Sequence, residues 1–179
     1  MKSISSYVAH KKIKKVTIGI FGYGNMGRAI VTQLQTTTSL RRVASIAIHS
    51  LKAQSVRGTR CVASVDDLFT VSNLLFLCIK PKDFYQLKPF NRKKLQHLTI
   101  ISIMAGVRIA NIQKIFPGAK IVRTMPNLPL QIGQGVVGWY LKKNLFNSAE
   151  YVLIKKIFLA FGLSVPLHSE KMLDALTAV

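Results

Sequence analysis

Short apolar runs alternate with mixed polar stretches along most of this chain. The runs are rich in β-branched residues and are bounded by glycine, proline or polar residues, a pattern typical of strands buried on both faces of a parallel sheet. They predict strands at 15–21, 42–48, 61–63, 74–79, 98–103, 120–125 and 163–167.

Helical spacing fills several of the intervals between these strands. Met26, Ile30 and Leu34 would share one face of a helix that the threonines at 36–38 interrupt. Ser64, followed three residues later by Asp67, is a helix-capping signature. Further helices are predicted at about 108–115, from Asn147 or Ser148 to about Phe161, and from Ser169 onward.

Strands that alternate with helices set the fold class. The pattern predicts an α/β protein with a Rossmann-type, doubly wound, mostly parallel sheet and helices on both faces. We expect residues 15–168 to form one dinucleotide-binding domain, preceded by a basic flexible tail at 1–14. No internal repeat or low-complexity linker divides the chain.

Charge is the unusual feature of the composition. The 179 residues include 26 Lys and Arg against 6 Asp and Glu, which gives a net charge of +20. Such a surface attracts polyanions. The basic residues are spread along the sequence, however, and no motif interleaves them with aromatic residues, so we do not expect a nucleic-acid partner. A lysine-rich solvated surface explains the charge equally well.

Other partner classes are excluded by similar observations. No apolar stretch approaches the roughly 20 residues that span a bilayer, so we expect no membrane association. Cys61 and Cys78 each lie in an apolar run, which predicts buried, reduced thiols and a cytoplasmic protein. Their surroundings have no metal-ligand spacing, so we predict no metal site.

A glycine-rich loop follows the first predicted strand. In IFGYGNMGRAIV, residues 20–31, Gly22, Gly24 and Gly27 have the spacing G-x-G-x-x-G. Gly22 would permit the tight turn, Gly24 the approach of a pyrophosphate, and Gly27 close packing of helix against strand. Because the loop lies between a strand and a helix, where free N–H groups attract anions, it predicts a dinucleotide site.

The end of the second strand indicates which dinucleotide is preferred. NAD-binding sites carry an acidic residue here that binds the ribose hydroxyls. This chain has IAIHSLK instead, and His49, Ser50 and Lys52 could all donate to a 2′-phosphate. We therefore predict NADP(H) in preference to NAD(H).

The chain also resembles a known family, the pyrroline-5-carboxylate reductases. FGYGNMG at 21–27 is similar to the family's G-x-G-N-M-G loop, and VRTMPNLP at 122–129 is similar to its V-R-x-M-P-N-T-P. The remaining matches occur in the same order along the chain: FLCIKP at 76–81, SIMAGV at 102–107, IGQG at 132–135 and the segment 161–179.

This resemblance implies NADPH-dependent reduction of 1-pyrroline-5-carboxylate to L-proline, by hydride transfer to the ring C=N. It implies no particular catalytic side chain, because a protonated imine is already electrophilic and mainly needs positioning. By position, the resemblance implies that the pyrophosphate is bound by Gly22, Tyr23, Gly24, Asn25, Met26 and Gly27, and that the adenosine and its ribose lie at Ile79, Lys80 and Pro81. It implies that the nicotinamide end is at Ala105 and Gly106, and that the substrate side is at Met125, Pro126 and Asn127.

The chain departs from the family in two ways. Leu128 replaces a threonine, Leu130 a small residue, and Met104 an alanine, which would add bulk near the nicotinamide end. The sequence also stops where the family's C-terminal helical domain begins. We therefore expect residues 169–179 to start a truncated domain, with Met172, Leu173 and Leu176 exposed as a surface for a homo-oligomer or a partner chain.

Several functions stay open at this point. The chain could be a working reductase, or a truncated relative that binds NADP(H) without turnover. A basic nucleic-acid-binding protein on the same scaffold is a third possibility. A deazaflavin-dependent NADP reductase is a fourth, against which the K-P and M-P-N-x-P matches argue.

Overall fold

One sheet organises the chain. The computed structural model describes residues 15–42, 44–50 and 55–176. Eight strands lie in the order β3-β2-β1-β4-β5-β6-β7-β8, and all neighbours are parallel except β6 and β7. The strands are β1 Val16–Phe21, β2 Ala44–His49, β3 Arg60–Cys61, β4 Leu74–Leu77, β5 Thr99–Ser102, β6 Lys120–Pro126, β7 Gly135–Leu141 and β8 Gly162–Pro166.

Helices cover both faces of this sheet and bury two apolar cores. The helices are α1 Asn25–Thr36, α2 Thr38–Arg41, α3 Val65–Val71, α4 Pro81–Phe84, α5 Arg92–Leu95, α6 Ile109–Ile115, α7 Ser148–Ala160 and α8 Lys171–Leu176. α1, α2 and α7 pack on one face, and α3 to α6 pack on the other. Because apolar residues fill both faces of the central strands, the Rossmann-type prediction is confirmed.

The sequence did not predict β7. Its residues, GVVGWYL, contain two glycines, which weaken a strand pattern, and it follows a 3-10 helix at Leu128–Ile132. Antiparallel pairing with β6 buries Trp139, whose indole nitrogen donates to the Ser164 hydroxyl at 2.9 Å. Three four-residue helices, α2, α4 and α5, were also missed, because helical periodicity cannot be recognised over a single turn.

The predicted helix caps are present. The Ser64 hydroxyl accepts from the Asp67 N–H at 3.0 Å, as its spacing indicated. Asn147, rather than Ser148, caps α7. Its side chain accepts from the Glu150 N–H, and the Glu150 carboxylate accepts from the Asn147 N–H, each at 2.9 Å. This reciprocal capping box fixes where α7 begins.

The C-terminal helix corrects one prediction. Leu173 is 1% exposed, not exposed as expected, because α8 packs against β6 and β7. Met172 is exposed, whereas the side chain of Leu176 lies outside the described residues, as do the segments 1–14 and 177–179. None of the described helices is long and apolar enough to cross a membrane.

Candidate functional site

A crevice opens at the carboxyl ends of β1 and β4. The chain leaves β1 toward α1 on one face of the sheet and leaves β4 toward α4 on the other. The Cys78 N–H donates to the Phe21 carbonyl at 2.8 Å, which holds these two strand ends together, and the Gly22 N–H donates to the carbonyl of His49, at the end of β2, at 3.1 Å. Ligands of doubly wound sheets bind at such a switch point.

The three glycines of the loop meet different steric demands. Gly22 has φ +98°, a conformation that strongly favours glycine. A Cβ on Gly27 would lie 2.4 Å from the Gly22 carbonyl oxygen, so only glycine lets α1 approach the loop this closely. A Cβ on Gly24 would meet nothing within 4 Å and would project into open space. The tight turn at Gly22 and the close packing at Gly27 are present as predicted, whereas cofactor binding by the three glycines stays a prediction.

The N-terminus of α1 offers its free N–H groups to this space. Gly24 is the N-cap and supplies no side-chain acceptor, and no acidic residue lies in the first turn. The Arg28 guanidinium lies 5.5 Å from the centre of the Tyr23 ring, which adds a cation beside the loop. A pyrophosphate fits this combination of uncapped N–H groups, positive dipole and open volume.

The end of β2 lies next to the loop. His49 Nδ1 is 3.2 Å from the Val62 carbonyl, and its ring is 6.1 Å from the ring of Phe21. When Nδ1 donates to this carbonyl, Nε2 is an acceptor in the neutral ring and a donor to a ligand phosphate in the imidazolium. Ser50 is half-buried, and Lys52, the third residue predicted for a 2′-phosphate, lies outside the described residues.

The segment after β4 forms the opposite wall of the crevice. A Cβ on Gly22 would lie 3.0 Å from Ile79 Cγ2, so these two predicted cofactor residues are neighbours. Lys80 is exposed, and Pro81 is the first residue of α4, where a proline needs no N–H partner. The structure thus brings Ile79–Pro81 together with the glycine loop.

The remaining predicted residues follow along the same edge of the sheet. Ala105 and Gly106 lie beyond the carboxyl end of β5, are exposed, and Gly106 has φ +71°. Met125, Pro126 and Asn127 lie at the carboxyl end of β6. The strands β1, β4, β5 and β6 are consecutive in the sheet. The segments at the carboxyl ends of β4, β5 and β6, which are Ile79–Pro81, Ala105–Gly106 and Met125–Asn127, therefore form one row that leads away from the glycine loop.

Asn127 has a contact that the sequence did not reveal. Its side-chain oxygen accepts from the Val136 N–H at 2.9 Å, which ties the start of β7 to the end of β6. Asn127 itself is exposed. No local sequence pattern indicates this contact, because Val136 belongs to the unpredicted strand.

Two residues that differ from the family's pattern, Met104 and Leu128, lie in different surroundings. Met104 is 3% exposed and packs in the core beneath α3 to α6, so its added bulk does not line the crevice. Leu128 is 68% exposed and directly follows Asn127. Of these two substitutions, only Leu128 presents a changed surface at the predicted substrate side.

Cys78 lies directly beneath the glycine loop. A Cβ on Gly27 would lie 3.6 Å from Cys78 Cβ. Although the residue as a whole is partly exposed, its thiol is desolvated, and this burial raises the pKa of Cys78 well above its usual range. The thiol therefore stays protonated and acts as a small apolar group.

Comparisons with known proteins agree with this geometry. Residues 17–106 match the family model described as NADP oxidoreductase, coenzyme F420-dependent. Pyrroline-5-carboxylate reductase from Aquifex aeolicus is 30% identical over 95% of this chain and 64% of its own length, and the Synechocystis enzyme is 29% identical over 92% and 62%. The chain belongs to the family that this model describes, and it is similar to pyrroline-5-carboxylate reductases over nearly its whole length.

Solved structures of pyrroline-5-carboxylate reductases share the fold. Pyrroline-5-carboxylate reductase from Streptococcus pyogenes superposes with a TM-score of 0.74 at 26% identity, over 92% of this chain and 62% of that one. The Plasmodium falciparum reductase, solved with NADP bound, gives 0.75 at 20% identity, over 90% and 61%. The fold is thus one that binds pyridine nucleotides. The chain spans about three-fifths of the length of these relatives.

Proposed function

We propose that this chain binds NADPH and reduces 1-pyrroline-5-carboxylate to L-proline, by hydride transfer to the carbon of the ring C=N. One observation carries the proposal. The uncapped start of α1, the loop at Ala105–Gly106 and the segment Met125–Asn127 lie in one row along the carboxyl edge of the sheet. That order fits a dinucleotide whose pyrophosphate is at α1 and whose reactive ring is toward β6.

In this proposal the cofactor residues bind and orient. The N–H groups that begin α1 take the pyrophosphate, with Tyr23 and Arg28 beside it. Ile79, Lys80 and Pro81 face the adenosine and its ribose. His49, with Ser50 and Lys52, favours a 2′-phosphate, because the end of β2 has no acidic residue to bind a ribose hydroxyl instead.

NADPH, when bound, supplies the hydride. Ala105 and Gly106 are small and present backbone to the nicotinamide end, so the ring can lie close to the sheet edge. Pro126 and Asn127, fixed through the Asn127–Val136 hydrogen bond, position the imine and keep water from it. No side chain is assigned as a catalytic acid or base.

The unpaired thiols Cys61 and Cys78 fit a reducing cytoplasm.

Two specific observations favour other outcomes. Because the chain spans about three-fifths of its relatives, it could bind NADP(H) without turnover unless another chain completes the site. The matching family model names coenzyme F420, which supports deazaflavin as an alternative hydride partner. Its match ends at residue 106, before the segment VRTMPNLP that resembles the reductases.

The test measures NADPH oxidation by the purified chain, with and without pyrroline-5-carboxylate, over a range of protein concentrations. We expect substrate-dependent oxidation with one proline formed for each NADPH consumed. A rate per chain that rises with concentration would show that a second copy completes the site. NADPH binding without turnover would favour the binding-only function, and oxidation only with the oxidised deazaflavin would favour the other reductase class.

A further inference from the structure

The edge of the sheet opposite the crevice collects exposed basic side chains. They come from segments far apart in sequence: the residue before β1, the helix before β2, the start of α5, the last turn of α6 and the end of β7. We define this basic edge as Lys15, Arg41, Arg42, Arg92, Lys93, Lys114, Lys142 and Lys143, all of which are exposed.

Strand register places these residues at the same level along the direction of the strands. Val16 pairs with Ala44, so Lys15 precedes β1 at the level where β2 begins. Thr99 pairs with Lys120 and Val122 pairs with Leu141, so Lys142 lies level with the start of β6. From β2 to β7 the row crosses five strand spacings, or about 24 Å at ~4.8 Å each.

Contacts between loops bring the residues in the middle of the row close together. The Phe90 N–H donates to the Ile115 carbonyl at 2.9 Å, which holds the start of α5 beside the end of α6. A Cβ on Gly118 would lie 3.0 Å from Arg92 Cγ. Arg92 and Lys93 are therefore adjacent to the turn that carries Lys114.

Acidic residues do not compensate this edge. Among the described residues, two acidic side chains reach the neighbourhood of this edge, and both are paired: Glu150 binds Lys120 Nζ at 2.6 Å and its own helix cap, and Asp66 binds Lys94 Nζ on α5 at 2.7 Å. Asp67 and Asp83 lie in the first turns of helices that follow the opposite ends of strands, and Glu170 and Asp174 bind Arg123. The positive charge of the edge is left for an external anion.

A groove extends the edge at one end. It has a volume of about 310 Å³ and lies between the end of α1 and the strands β2 and β3. Arg41 and Arg60 line it, together with the polar residues Gln35, Ser45 and Thr59. Two guanidinium groups beside hydroxyl and amide groups suit a phosphate of an extended chain.

We propose that the basic edge binds the phosphodiester backbone of single-stranded nucleic acid. A row of cations that ends in an arginine-lined groove matches a linear polyanion. A membrane surface fits less well, because insertion needs an apolar face beside the cations. In α5 the apolar residue, Leu95, is fully buried, and beside Lys143 a single apolar side chain, Leu145, is exposed, which is too little for an apolar face. The sequence indicated no such partner because its basic residues converge only when the strands pair.

The test compares two charge-matched variants with the wild-type chain. Lys93→Gln, Lys114→Gln and Lys143→Gln remove three charges from the basic edge. Lys82→Gln, Lys155→Gln and Lys171→Gln remove three exposed charges from elsewhere. Binding of a labelled single-stranded RNA of about 20 nucleotides is measured by fluorescence anisotropy at several salt concentrations. Circular dichroism melting checks that both variants are folded.

We expect the edge variant to lower the slope of log affinity against log salt by about 2, since each lost phosphate contact contributes about 0.7. The matched variant should change it much less. Equal losses in the two variants would overturn the proposal, because net charge alone would then explain binding. Displacement of RNA by NADPH would also overturn it, in favour of the crevice. If the wild-type chain binds phosphatidylserine vesicles but not RNA, and the edge variant loses the vesicle binding, the basic edge is a membrane-binding surface and the proposal is overturned.

Discussion

Arg123 on β6 and Glu170 before α8 form a buried ion pair, with 2.9 Å between Nη1 and Oε1. The Arg123 side chain is only 3% exposed, and its Nη2 also donates to Asp174 at 3.1 Å. The same Glu170 oxygen accepts from the Ile109 N–H at 2.7 Å. One carboxylate therefore joins α8 to the start of α6 and to the strand that leads into Met125, which explains why α8 is docked.

Removing Glu170 should be costly for stability. Glu170→Ala leaves a buried guanidinium with one partner and the Ile109 N–H with none, and we expect a loss of about 3 kcal/mol in the free energy of unfolding. Asp174→Ala should cost less, because Asp174 is 39% exposed and Glu170 remains. Urea unfolding measures both. A larger loss for Asp174→Ala would contradict the importance given to the Glu170 contacts.

Gly27→Ala should destabilise the fold without adding charge or polarity. Its methyl group would lie 2.4 Å from the Gly22 carbonyl oxygen, so α1 must move away from the loop. We expect a loss of about 1–3 kcal/mol, the usual cost of overpacking. Thermal unfolding monitored by circular dichroism measures it. An unchanged melting temperature would show that the close approach of α1 is not required.

Substitutions of Gly24 should have the opposite effect: they should alter cofactor binding and leave the stability of the fold unchanged. Gly24 has φ −80° and a Cβ there meets nothing, so Gly24→Ala should leave stability intact. Gly24→Asp should abolish NADPH binding, because it places bulk and negative charge where the pyrophosphate is proposed to lie. NADPH fluorescence titration of both variants is the measurement. If NADPH affinity survives in Gly24→Asp, the cradle has been placed wrongly.

The parts of the fold that the sequence predicted are those determined by local chemistry. The glycine loop, the Ser64 cap and the buried parallel strands all follow from the residues within each segment. The unpredicted β7 depends instead on a distant partner. Two glycines make it a poor strand in isolation, and pairing with β6 supplies what the local pattern lacks.

The site shows the same division. The sequence placed the glycines and Asn127 at the candidate site, but not the Asn127 bond to Val136, which needs the hairpin to form. Met104 was expected near the nicotinamide end because it lies in the same short motif as Ala105. Its side chain instead turns into the core, since alternate residues leaving a strand face opposite sides.

Cys78 and Cys61 should differ in reactivity. Burial raises the pKa of Cys78, so at mildly alkaline pH almost none of it is the nucleophilic thiolate. Cys61 is partly exposed on the two-residue edge strand β3. We expect a maleimide to modify Cys61 rapidly and Cys78 only after denaturation, as read by mass spectrometry of peptides. Rapid modification of Cys78 in the folded chain would show that the loop opens readily.

The proposed preference for NADPH should depend on the end of β2. His49→Asp places a carboxylate there, where it would repel a 2′-phosphate and accept from ribose hydroxyls. We expect the ratio of NADPH to NADH affinity to fall at least tenfold, which corresponds to about 1.4 kcal/mol. His49→Asn is the matched control, because it is similar in size to aspartate but uncharged. If both variants lower the ratio equally, lost donation from His49 is the cause. If neither does, the 2′-phosphate is bound by other residues, and the preference must be sought at Ser50 or Lys52.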